Sequence, residues 1–146
     1  TTRLVGSEMC IRDSPDWTLC PKGHCYAANG LYLTIDEFGN FGQMLLEGGR
    51  YQGRQLVPAE YMAAATRKQV ETKNRYPEGT PQSYGYGYQF WMTEIPDTFL
   101  CSGNYGQYCL VMPKRDTVIC VMSLEGRNHK RIRDLLIETA KEWDPE

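Results

Sequence analysis

The stretch from residue 98 to 123, three short apolar runs separated by turn signals, constrains the fold of this chain more than any other feature. Thr98 to Ser102, Gln107 to Met112 and Thr117 to Ser123 each have the length and the β-branched and aromatic content of a strand. Pro113-Lys114-Arg115-Asp116 is a turn, because proline fixes one dihedral and the charges stay in water. Connections this short make the strands antiparallel neighbours. Val118 to Met122 is apolar throughout, which predicts a central strand covered on both faces. Upstream, Tyr84, Tyr86, Tyr88 and Phe90 alternate with Gly85, Gly87, Gln89 and Trp91, and that period of two predicts one more strand.

Helical patterns flank these strands. Thr34-Ile35-Asp36-Glu37 has the form of a capping box, and Ile35, Phe38, Phe41 and Leu45 then recur at three- and four-residue spacing. Gly48 and Gly49 end that helix. Gly39 and Gly42 within it are expected to admit a close neighbour. Pro58 opens a second helix to about Gln69, with Tyr61, Met62 and Ala65 inward. A polar loop covers 71–83. A last helix runs from about Asn128 to Trp143, with Ile132, Leu135, Leu136, Ala140 and Trp143 as its apolar stripe. The expectation is an α+β chain, an antiparallel sheet flanked by helices. Residues 1–19 have neither period and read as an unstructured or artefactual segment, leaving 20–146 for the folded part.

At 146 residues with 41 % hydrophobic and 23 % charged, the chain has the composition of one globular domain. A net charge of −2 gives no reason to expect nucleic acid as a partner. No apolar run approaches the ~20 residues that span a bilayer, and the opening residues lack a signal-peptide pattern. The compartment stays open between cytoplasm and periplasm. Of six cysteines, Cys109 and Cys120 lie in apolar runs and read as reduced core residues rather than a disulfide framework. Cys20, His24 and Cys25 have no second ligand pair at finger-like spacing, so no metal site is assigned.

Four blocks carry a resemblance. They are Ala27 to Phe38 (AANGLYLTIDEF), Leu45 to Tyr51 with Gly53 and Leu56, Tyr84-Gly85-Tyr86-Gly87-Tyr88, and Ser102 to Gln107 followed by Val111-Met112-Pro113 and an apolar strand. In this order and spacing they resemble the C-terminal portion of β-lactamase-related serine hydrolases, the penicillin-binding-protein superfamily. The Gly-x-x-Gly-Gln pattern at 103–107 resembles the esterase and amide-hydrolase branch more than true β-lactamases. The resemblance covers about 20–143 and implies part of a β-lactamase/transpeptidase-like fold.

That family attacks its substrate with the serine of Ser-x-x-Lys, where the amine one turn away takes the hydroxyl proton. No Ser or Thr of this chain has Lys three positions on, and no Tyr has Asn or Ser two positions on, so the second motif, Tyr-x-Asn or Tyr-x-Ser, is absent too. The expectation is a fragment that is inactive alone, with an unpaired strand edge and an exposed apolar patch.

The resemblance implies that the third-motif strand lies along the substrate. Cys101-Ser102-Gly103 occupies its place, without the lysine that would bind a β-lactam carboxylate. It further implies that Asn104 gives its backbone N–H to the oxyanion, that Ser102 and Gly103 meet the substrate, and that Tyr105 lines the pocket. Read without it, Gly103 to Gly106 are ordinary turn residues and Tyr105 an exposed aromatic. The implied partner is a small-molecule ester or amide, with no metal or organic cofactor. The competing reading is a non-enzymatic binding or regulatory domain. His24 and His129 read as surface histidines, Tyr86 and Tyr88 as core or pocket wall, and Arg127 to Arg131 as a solvated run or a match for a carboxylate elsewhere.

Overall fold

The computed structural model of the chain describes residues 16–26 and 29–143. Two units divide after Asp36. In the first, β1 (Asp16–Trp17) pairs antiparallel with β2 (Leu31–Tyr32), Asp16 opposite Tyr32. The Trp17 indole N–H donates to the Tyr26 carbonyl at 2.8 Å. Asp16 to Leu19, which the residue pattern places in the segment ahead of the folded part, thus take part in described strand pairing. Residues 1–15, with Cys10, and Ala27-Ala28 of the first resemblance block lie outside the described residues.

Helix α1 (Ile35–Leu46) starts directly after Thr34. Its inward residues are Gly42 and Leu45, with Phe38 half-buried, whereas Ile35 and Phe41 are exposed. A two-residue turn at Gln52-Gly53, both with positive φ (48° and 77°), folds β3 (Arg50–Tyr51) onto β4 (Arg54–Gln55). Positive φ at both central residues matches the right-handed twist of the paired strands. The polar link of the sequence is thus a small hairpin. Helix α2 (Ala59–Ala65) is shorter than its pattern, and buries Met62 and Ala65 while leaving Tyr61 in solvent.

The main sheet has the order β5 (Trp91–Met92), β6 (Phe99–Ser102), β7 (Tyr108–Met112), β8 (Thr117–Val121), antiparallel throughout. Side chains alternate between its two faces. Leu100, Tyr108, Leu110 and Met112 pack with Leu136, Ile137 and Ala140 of α3 (His129–Glu142). Phe99, Cys109 and Val111 pack with Leu45 and Met62 from α1 and α2. With helices on both faces, the sheet sits between two halves of the core, and the chain is α+β.

Three further expectations change. All five residues of β7 are buried, while those of β8 are half-buried and β8 ends the sheet among the described residues. Two hairpins place β7 between its chain neighbours, so connectivity rather than apolar content chooses the central strand. The Tyr84–Trp91 alternation is not one strand. A turn in which Gly87 N–H donates to the Phe90 carbonyl at 2.7 Å, with Gln89 at φ 67°, reverses the chain and sets Tyr86 opposite Trp91. The rings of Tyr86 and Trp91 lie 4.4 Å apart, and Tyr88 is exposed beside Tyr61. Leu135 of α3 and Trp143 just past its end face solvent, and Arg133 and Ile137 are buried instead. The Arg115 guanidinium bonds the carbonyls of Ala140 and Trp143, satisfying acceptors at the helix C-terminus where a cation is also favoured.

Candidate functional site: the end of strand β6

Strand β6 ends at Ser102, which pairs with Tyr108 across to β7. Gly103 continues in extended conformation (φ −106°, ψ 164°), and its N–H donates to the Gln107 carbonyl at 2.8 Å. Asn104–Gly106 then makes one tight helical turn. As its first residue, Asn104 carries an N–H that has no acceptor within the turn. Tyr105 takes the left-handed conformation (φ 63°, ψ 11°), and Gly106 follows at φ 91°. A left-handed non-glycine residue costs about 1–3 kcal/mol and persists only where its surroundings enforce it. Ser102, Gly103, Asn104 and Tyr105 are all exposed, Tyr105 at 57 %. The four residues singled out in the sequence are therefore brought together, on one solvent-facing strand end and turn.

The enforcing contacts come from the segment after β8. The Glu125 N–H donates to the Tyr105 carbonyl at 3.0 Å and to Ser123 Oγ at 3.0 Å. Gln107 Nε2 donates to the Ser123 carbonyl at 2.8 Å. Ser123 and Glu125 escape the sequence reading because they lie 16 or more residues from the turn they hold. The one local signal is Glu125 standing just ahead of the Arg127 to Arg131 run. Its carboxylate accepts the N–H groups of Arg127 at 2.8 Å and Asn128 at 3.1 Å, and these bonds hold its pKa below the ordinary carboxylate value. The carboxylate thus holds the turn that leads into α3, ahead of a first turn whose cationic side chains oppose the dipole. Lys130 and Arg131 are exposed, and His129 is half-buried with Nδ1 lacking a hydrogen-bond partner. His24 is exposed.

Below the turn, Tyr108 is 1 % exposed and its hydroxyl donates to the His129 carbonyl at 3.0 Å. Burial raises the Tyr108 pKa, so the phenol stays a neutral donor. This bond and the contacts of Ile132 fix α3 against the site turn.

A cleft of 410 Å³ opens near the opposite end of β6, lined by Thr66, Arg67, Thr93, Asp97, Thr98 and Phe99 among others. It is separate from the Ser102–Tyr105 turn. Among the described residues, Cys20, Cys25, Cys101, Cys109 and Cys120 are free thiols. No group of three or more His, Cys, Asp or Glu is placed among them to hold a metal ion. No helix of the described residues is long and apolar enough to cross a membrane.

A sequence model of the family described as Beta-lactamase matches residues 4–139. No curated protein matches the chain. Among solved structures, the fold is similar to a putative 6-aminohexanoate-dimer hydrolase from Bacillus anthracis, with a TM-score of 0.59 and 22 % identity. That match covers 88 % of this chain and 34 % of the other, so this chain spans about a third of the length of that protein.

Proposed function

The chain belongs to the beta-lactamase family, whose members are serine hydrolases, and from that premise we propose that it forms the oxyanion side of an acyl-transfer site acting on a small ester or amide. The observation that carries this reading is the exposed strand end at Ser102-Gly103 running into a left-handed turn that begins with the Asn104 N–H. In acyl transfer, a serine attacks the carbonyl and its oxygen becomes an anion. A backbone N–H aimed at that oxygen stabilises the tetrahedral intermediate, a contribution of about 3 kcal/mol for one donor. Asn104 supplies that donor, Gly103 lets the substrate approach, Ser102 bonds it and Tyr105 borders the pocket.

Cys101 stands where a β-lactamase would carry its lysine, which favours ester or amide substrates over β-lactams. The 146 residues contain neither Ser-x-x-Lys nor Tyr-x-Asn. The nucleophile and its base therefore belong to chain outside this sequence, and these residues alone are inert. The unpartnered side of β8 among the described residues, and exposed apolar groups such as Leu124 and Met122 next to it, support a missing complement.

A fluorophosphonate probe tests the reading. It should label the full-length gene product at a Ser-x-x-Lys serine and leave the 146-residue chain unlabelled. Labelling of any serine in the short chain would overturn the inertness. The absent motifs favour one competing reading, a non-enzymatic binding or regulatory domain on the same fold. That reading wins if the coding sequence continues upstream with no Ser-x-x-Lys helix.

A further inference from the structure

We propose that Gln107 is the positioning residue that sets the Asn104 N–H for oxyanion binding. The inference rests on the hydrolase reading above and adds a residue to it.

A backbone donor has no side chain of its own to anchor it. Its direction is set by whatever fixes the peptide planes on either side. Here the peptide planes belong to a turn with two successive residues at positive φ, Tyr105 and Gly106. A turn in that conformation relaxes unless it is held.

Gln107 holds it at three points. Its backbone carbonyl accepts the Gly103 N–H at 2.8 Å, which closes the base of the turn. Its side-chain Nε2 donates to the Ser123 carbonyl at 2.8 Å, which ties that base to the chain leaving β8. Its Oε1 lies 3.1 Å from where a Cβ on Gly103 would stand, so the amide packs against the residue just ahead of Asn104. Ser123 also takes part on the other side of the turn, because its Oγ accepts the same Glu125 N–H that bonds the Tyr105 carbonyl. Removing the Gln107 amide unties one side of this loop and leaves the other side intact. Gln107 touches no reacting atom; it acts through Gly103 and Ser123.

Preorganisation gives this consequence. An oxyanion donor works because it already points at the place where charge develops, and small misplacements cost rate rather than binding. The same argument predicts which kinetic constant moves.

The test uses the full-length gene product, with p-nitrophenyl butyrate as substrate and a fluorophosphonate as active-site reagent. Gln107→Met keeps the length of the side chain and removes the donor. It should lower kcat about 10- to 100-fold, less than the roughly 100- to 1000-fold seen when an oxyanion donor is removed outright, because the donor is misaligned and not lost. KM should stay within about threefold, because ground-state binding does not use the donor. The rate of phosphonylation should fall by the same factor as kcat. Gln107→Glu gives a second readout that a purely structural role would not move. Its carboxylate faces the Ser123 carbonyl without a proton, but once protonated it donates as the amide does. Its kcat relative to wild type should therefore rise as the pH is lowered through the carboxylate range.

Unchanged kcat in Gln107→Met, or a change confined to KM, overturns the inference. If Gln107→Met fails to fold, the Gln107→Glu profile decides, and a flat ratio across pH overturns it. If the wild-type protein neither hydrolyses the ester nor reacts with the phosphonate, the hydrolase reading itself falls and this one with it.

Discussion

Gly42 of α1 lies so close to Val118 of β8 that a Cβ on the glycine would stand 2.5 Å from Val118 Cγ1. The same position is 2.9 Å from Cys109 Sγ. The helix therefore rests on the sheet through its backbone at this point, which brings Leu45 into the core beside Phe99, Cys109 and Val111. Gly39, one turn earlier, has nothing within 4 Å of its Cβ position.

These two glycines should respond in opposite ways. Gly42→Ala overpacks the helix against the sheet and should destabilise the protein by about 1–3 kcal/mol. Gly39→Ala adds only helix propensity and should stabilise it by about 0.5–1 kcal/mol. Urea denaturation of both variants measures the pair, and equal effects would refute the packing argument.

Tyr108→Phe removes the hydroxyl that donates to the His129 carbonyl at the start of α3. The loss should be about 1 kcal/mol, the usual net value of one such bond. Faster amide exchange at the start of α3 should accompany it, since that end of the helix loses its tie to β7. A variant as stable as wild type would show that the bond contributes nothing.

Glu125 predicts a limb in acid stability. Its folded pKa is held below the ordinary value by the Arg127 and Asn128 N–H groups. A depressed carboxylate contributes stability that is present above its unfolded pKa and disappears as pH falls through the folded pKa. Stability should therefore decline below the ordinary Glu range. Glu125→Gln removes the charge but keeps an acceptor, so its acid limb should be flatter. Identical pH profiles would refute the assignment.

The cysteines should react in the order of their surroundings. Hydrogen bonding to Cys101, with burial adding to it, raises the Cys109 pKa; hydrogen bonding to Cys109, with burial, raises that of Cys120. Thiolate is the reactive form. Alkylation of the native protein at pH 8 followed by peptide mass spectrometry should find Cys25, which is exposed, modified well before Cys109. Early modification of Cys109 would mean that the sheet opens there.

The candidate site follows the same division between near and distant residues. Ser102, Gly103, Asn104 and Tyr105 are adjacent, so a resemblance block picks them out together. Their left-handed turn is not visible in the residues, because Tyr105 has no intrinsic preference for positive φ. The partners that enforce it, Ser123 and Glu125, come from the far side of a hairpin. Element types were legible for the same reason: periodicity is local. Which strand is central was not, since Val118 to Val121 is apolar enough for that place and loses it to β7.

By itself the sequence determined that this is an α+β chain with an antiparallel sheet near its end, where β6, β7 and β8 lie within two residues of their expected bounds. It also carries the blocks that resemble the family, in an order that belongs to the chain alone, and it contains no Ser-x-x-Lys among its 146 residues. Tertiary structure decided the rest. It reversed the Tyr84–Trp91 stretch, exposed Leu135 and buried Arg133, and brought Gln107 against Ser123 to hold the turn at Asn104. Those outcomes depend on which surfaces meet, and a local pattern carries no information about a partner many residues away.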